Sequence, residues 1–241
     1  MTRYLRLVSL AILIVPALAA AQTAQPATHC DWEFALFAGG SFIGDSRHRT
    51  PVAGEDDDTY RSVGLDYAGG SMFGFRIAEN RWDHWGASLE YGYSNQPLRF
   101  ADLTPDAPSL SLGHSIHRFV YDVLYYPLDR RQRLRPFAFA GAGVALYHLS
   151  DSSKSDPVLG GTQLRDRWKA LFSWGGGAKY LVRDQLTAHF QFSDRISGIP
   201  DYGLPGSAQI AGGELTPGFR PDGSLHNWSL SIGFAWQWGN R

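Results

Sequence analysis

A chain of 241 residues has room for one all-β barrel or sandwich, or for two small domains. Aromatic residues make up 14 %, with 8 Trp, while charged residues reach only 19 %, against about 25 % in an ordinary soluble domain. A formal net charge of −1 without a large basic patch argues against nucleic acid as a partner.

The N-terminus reads as a processing signal. Arg3 and Arg6 precede the apolar stretch LVSLAILIV (7–15), Pro16 breaks it, and Ala19-Ala20-Ala21 is a small-residue cleavage motif. A secretory signal peptide is therefore expected over 1–21, with export of the mature chain from Gln22 on. The stretch is too short for a spanning helix, which takes roughly 20 residues. PFAFAGAGVALY (136–147), the best later candidate, is also short and is rich in Gly. If the chain enters a membrane, it does so by strands. Cys30 is the single cysteine, so no intramolecular disulfide can form, and His29 stands where a lipoprotein signal would need a small residue.

Eight segments then carry strand signals: Trp32–Ile43, 68–78, 85–94, 115–127, 136–149, 168–182, 185–196 and 227–238. No stretch reads as a helix of ordinary length. Three connections are short: ENRWDH, LDRRQRLR and RD. The other four, 44–67, 95–114, 150–167 and 197–226, are long and hold polar, turn-forming runs such as SDSSKSDP and TPGFRPDG. Long and short alternate strictly. An up-and-down meander puts alternate connections at opposite ends, and outer-membrane barrels have short periplasmic turns and long extracellular loops. The expectation is an all-β, eight-stranded antiparallel up-and-down transmembrane barrel over 32–241, with 22–31 as a short periplasmic lead-in.

Period-two alternation orients the strands, because successive side chains point to opposite faces. In 227–238, Trp228, Leu230, Ile232, Phe234, Trp236 and Trp238 share one face; Asn227, Ser229, Ser231, Gly233, Ala235 and Gln237 share the other. Segments 32–43, 85–94 and 185–196 repeat the contrast of bulky apolar against small or polar. A soluble barrel packs bulk inside; a lipid-embedded one puts it outside. Aromatics at strand ends (Trp32, Trp82, Trp85, Trp168, Trp236, Trp238, Tyr125 and Tyr126) would form girdles at headgroup level.

Charges on the small-residue face must find partners inside the barrel. A hairpin centred on Asp83 sets Ile77 opposite Leu89 and Phe75 opposite Tyr91 outside, with Arg76 opposite Glu90 inside. A hairpin centred on Asp184 pairs Val182 with Leu186 and Ala178 with Phe190 outside, and Lys179 with His189 inside, near Gln191. Arg118 and Asp122 share a face. The expected polar lumen network comprises Arg76, Glu90, Arg118, Asp122 and Lys179. The orientation of 136–149 stays open, since both its faces are small or aromatic.

With the signal peptide, the loop alternation, the phrases LEYGYS, YDVLYYPL, RPFAFAGAGV and GGGAKYLV and the final aromatic strand together, the chain resembles the OmpA/OmpX-type family of small eight-stranded outer-membrane barrels. The resemblance implies a non-enzymatic protein of the Gram-negative outer membrane, without cofactor or metal, monomeric, with an envelope-structural or surface-interaction role. Its partners would be outer-membrane lipid, lipopolysaccharide and the barrel assembly machinery that reads the last strand. One departure is that Trp238 is followed by Gly239-Asn240-Arg241, where such barrels commonly end on the aromatic residue.

Three other readings stay open. An outer-membrane lipid-modifying enzyme would need a Ser with a nearby base, yet in DRISG (194–198) Arg195 stands where a His would be wanted, two before Ser197. A soluble secreted barrel binding an apolar ligand would need the Trp228 face inward. A narrow channel would need a path past the lumen charges. His114, His117, His148 and His226 fall near the outer rim, and a strand pairing about residue 131 would set His114 across from His148; a solvated rim is the simpler expectation than a metal site. The acidic run at 55–58 likewise reads as a solvated loop rather than a cation site.

Overall fold

The computed structural model describes residues 29–240 apart from 45, 54–59, 103–108, 155–161 and 212–213. The expected signal peptide and the acidic run at 55–58 lie outside the described residues. In chain order the strands are β1 (Trp32–Ile43), β2 (Ser46–Ala53), β3 (Tyr60–Tyr67), β4 (Gly70–Glu79), β5 (Trp85–Asn95), β6 (Leu98–Ala101) and β7 (Ser109–Leu112), then β8 (His114–Tyr125), β9 (Leu134–Leu149), β10 (Arg167–Arg183), β11 (Leu186–Gly198), β12 (Ala208–Ala211), β13 (Glu214–Thr216) and β14 (Ser224–Trp238). A short helix, α1 (Asp151–Lys154), lies between β9 and β10.

The eight long strands close a barrel in the order β1-β14-β11-β10-β9-β8-β5-β4. Every neighbouring pair is antiparallel. The last strand closes on the first, from Trp32 opposite Trp238 to Ile43 opposite Asn227. Closure leaves no unpaired edge within the barrel, the condition a sheet must meet to sit in lipid.

Register follows the alternation, because a one-residue slip would turn every bulky side chain inward. Arg76 lies opposite Glu90, Phe75 opposite Tyr91 and Ile77 opposite Leu89. Lys179 lies opposite His189 and Ala178 opposite Phe190. The expected pairing of Val182 with Leu186 does not form: the register shifts between Leu181 and Arg183, and Arg183 faces Leu186. The tight turn after β10 absorbs an extra residue there.

The orientation of β9 has a steric reason. Phe137 and Phe139 point inward because β10 offers glycines opposite them. A Cβ at Gly175 would lie 2.6 Å from the Phe139 ring, and one at Gly177 2.9 Å from the Phe137 ring.

Bulk faces outward around the wall. Leu36, Ile232 and Phe234 are exposed by 60 %, 68 % and 62 %, whereas Glu33, Ser41 and Ala235 on the opposite face are buried. Trp82, Trp85, Tyr125, Trp236 and Trp238 stand outside at the end of the short turns, and Trp168 and Trp228 outside near the other end. Tyr126 corrects the expected girdle. It is fully buried, turned into the barrel where its hydroxyl meets Asn80 and Lys179.

The long connections differ most from the reading as polar loops. Three of them carry the six short strands β2, β3, β6, β7, β12 and β13, which form a second sheet in the order β13-β12-β2-β3-β6-β7. Its inner face, with Val63, Leu65, Tyr67, Leu98, Phe100 and Leu112, packs with Tyr202, Leu204 and Phe219 of the last long connection. The same apolar cluster continues into the barrel through Ile43, Ile116, Val120, Tyr147, Leu171 and Leu225. The barrel therefore has a turn end and a capped end.

Candidate functional site

The interior is built in two storeys. Toward the turn end, strands far apart in sequence send charges to one place. Glu33 of β1, fully buried, accepts a hydrogen bond from Lys179 Nζ of β10 at 2.8 Å and lies 3.6 Å from Arg76 Nη2 of β4. Lys179 also donates to Tyr126 Oη at 2.7 Å and to Asn80 Oδ1 at 3.4 Å. One carboxylate thus serves two cations, and the ammonium's remaining protons are held by neutral oxygens. Arg135 stacks 3.5 Å from the Tyr126 ring centre and donates to the Asp83 carbonyl at 2.6 Å.

Above this, Arg76 Nη1 donates to Gln191 Oε1 at 2.5 Å, and Gln191 Nε2 reaches Glu90 Oε2 at 3.5 Å. Glu90 is gripped by Arg195, whose other terminal nitrogen donates to Ser193 Oγ at 2.6 Å and Ser229 Oγ at 3.0 Å. Arg118 donates to Met72 Sδ at 2.9 Å.

The five residues expected as a lumen network are all inward and buried, but their partners differ from the pairing the register suggests. Arg76 and Glu90 are opposite each other yet each ion-pairs elsewhere, with Glu33 and Arg195 respectively. Arg118 and Asp122, on one face of β8, do not ion-pair within 4.0 Å. A strand places residues four apart too far from each other along the wall, whereas a narrow lumen brings opposite walls together. The principal partners that sequence reasoning missed, Glu33, Arg135 and Arg195, sit on the inward faces of their strands. Arg135 lies on β9, whose orientation the sequence left open, but for Glu33 and Arg195 that parity was the available signal. What it lacks is the third coordinate, which wall faces which.

The rim histidines do not gather at one site, although the His117 and His148 rings meet edge to face at 6.2 Å. His114 faces Leu149, not His148; one residue of offset in the β8–β9 pairing accounts for it. His114 is buried between the Gln96 carbonyl (2.9 Å) and Tyr202 Oη (3.1 Å). His148 pairs with Asp166 at 3.0 Å, His226 with Asp194 at 2.9 Å, and His117 bonds Tyr91 Oη at 2.9 Å. Among the described residues no group of three or more potential metal ligands converges. Ser197 Oγ lies 2.6 Å from Tyr147 Oη, and Arg195 points away toward Glu90, so no base addresses that hydroxyl.

Two clasps lie outside the spanning strands. At the turn end, His29 Nε2 donates to the Gln132 carbonyl at 3.1 Å and Nδ1 accepts from Gln237 at 3.0 Å, which requires the neutral ring. Burial, reinforced by Lys179 and Arg135, holds the imidazole down to about 4. At the capped end, burial would raise the Asp166 carboxyl, but the Leu149 N–H, His148 and Lys154 together hold it below the usual carboxylate range.

On the outside of the cap, Arg47 and Arg49 of β2 and Arg220, with His48, Pro221 and Asp222, line a cleft of about 580 Å³.

No family model matches this sequence, and no curated protein matches it. Solved structures do. The outer membrane protein OprG from Pseudomonas aeruginosa aligns over 89 % of this chain and 99 % of its own, at 14 % identity and a TM-score of 0.56. The fold is that of the small eight-stranded outer-membrane barrels. Neisserial surface protein A (12 % identity, 86 % of this chain and 96 % of that one, TM-score 0.47) and AlkL in lipid bilayers (12 %, 90 % and 95 %, 0.48) are further matches. With the bulky apolar belt outside and charge inside, the protein is an integral outer-membrane β-barrel.

Proposed function

We propose that this barrel is a non-enzymatic surface protein of the OmpA/OmpX type, whose lumen network stabilises the wall and whose cap meets anionic partners at the cell surface. The observation that carries the reading is the cap. A second sheet on an apolar core continuous with the barrel's upper interior is more construction than closing the barrel needs, and it presents the arginine cleft to the outside. Arg47, Arg49 and Arg220 are exposed, with Asp222 in the cleft lining and Asp102, 3.5 Å from Arg47, as opposing charges. Guanidinium forks match phosphate geometry, so the phosphates of lipopolysaccharide are the partner this surface fits best.

The envelope setting supplies the remaining assignments. Residues 1–21 direct export, the capped end faces outward, the aromatic strand β14 is read by the assembly machinery, and the barrel acts as a monomer. The test is binding of purified lipopolysaccharide to the protein in detergent, set against the same lipid stripped of phosphate. Arg47→Gln, Arg49→Gln and Arg220→Gln together should abolish the difference between the two lipids. Equal binding to both lipids by the unaltered protein would overturn the reading.

A further inference from the structure

Among the described residues, five cationic side chains are buried facing the lumen (Arg76, Arg118, Arg135, Lys179 and Arg195) against three carboxylates (Glu33, Glu90 and Asp122). Arg76 and Lys179 share Glu33, Arg195 holds Glu90, and Arg135 is spent on carbonyls and the Tyr126 ring. That leaves Arg118. It is 2 % exposed, no carboxylate lies within 4.0 Å of it among the described residues, and its one hydrogen-bond partner is the weakly accepting Met72 sulfur.

Arg195 and Glu90 both lie close enough to act on Arg118 electrostatically, and the Nε and Nη1 of Arg118, like Nε of Arg195, have no partner among the protein atoms. All three are donors only. Opposite Arg118 stands Gly92, and a Cβ there would meet nothing within 4 Å except the guanidinium itself, at 3.6 Å. The wall therefore has room for a methyl group beside the unpaired head. A buried cation beside such room and surplus donors calls for an acceptor, and the excess positive charge calls for a negative one.

We propose that the lumen binds a small inorganic anion of halide size, held by Arg118 with Arg195 and seated against Gly92, at the level where the polar storey gives way to the apolar one. This anion site is separate from the arginine cleft on the cap and does not depend on it.

The test uses the folded protein in a zwitterionic detergent, with chloride as the probe and line broadening of the chloride NMR signal as the readout. Arg118→Met removes the charge while keeping length. Gly92→Asp supplies a carboxylate of the chain's own in the same place. Folding of each is checked by heat-modifiable gel migration. The unaltered protein should broaden the signal and both variants should lose that broadening, while Arg49→Gln on the cap retains it. Gly92→Asp should also raise the thermal midpoint, because it supplies the missing counter-charge. Broadening no greater than the detergent blank would mean water alone fills the space and would overturn the proposal, as would broadening that persists in either variant.

Discussion

The two storeys of the interior solve the same problem by opposite means. At the turn end, contacts are directional and join residues distant in sequence: Glu33 to Lys179, Arg76 to Gln191, Arg195 to Glu90. At the capped end, Ile116, Tyr147, Leu171 and Leu225 meet Leu65, Leu112 and Phe219 in a cluster held mainly by burial, with hydrogen bonds at its tyrosine hydroxyls. A charged lumen tolerates few arrangements, because each cation must meet its acceptor, so it ties opposite walls to one register. An apolar cluster is less particular and can be shared between the wall and a separate sheet. The polar storey specifies the barrel; the apolar one fastens a cap to it.

That contrast can be broken at its strongest point first. Glu33→Ala leaves Lys179 and Arg76 buried without their common carboxylate, and should cost about 3–5 kcal/mol of barrel stability, read by denaturant unfolding in detergent. Adding Lys179→Met should restore part of the loss, since the orphaned charge goes with it. If the double variant is no more stable than the single one, the pair is not coupled.

Phe100→Ala in the cap should cost about 3 kcal/mol, felt locally. Phe100 is fully buried against Tyr202 and Phe219 and touches no wall charge. Amide exchange and limited proteolysis should show the cap opening while the barrel's heat-modifiable migration is unchanged. Simultaneous loss of both would show that the storeys unfold as one.

The smallest expected effect is a pH dependence at the turn end. His29 has a folded pKa of about 4 against an ordinary 6.5, so the folded state binds fewer protons than the unfolded one between those values. The clasp's full contribution is present above pH 6.5 and is lost as pH falls toward 4. His29→Gln keeps a hydrogen-bonding side chain without the titration and should flatten the unfolding midpoint over that window. A slope identical to the unaltered protein's would place the titration elsewhere.

Much of this was legible from residues alone. The eight wall strands, their outward faces and most of the hairpin register follow from period-two alternation, because a strand has only two faces and only one of them can tolerate lipid. The same parity placed Arg76, Glu90, Arg118, Asp122 and Lys179 inside. The orientation of β9 was not legible: its inward rings Phe137 and Phe139 are permitted by glycines on another strand, which no local pattern reports. Nor were the cap strands, since LRFA and SLSL are four residues each and acquire a face only once a partner covers it.

Sequence by itself determined that the chain makes a barrel with its bulk turned outward, for alternation and connection length are one-dimensional properties. Only the tertiary structure decided which carboxylate answers which cation, that the upper lumen is apolar, and that Arg118 is left over. Those depend on distances across the lumen between strands far apart in the chain, and the closed curve of the wall alone sets them.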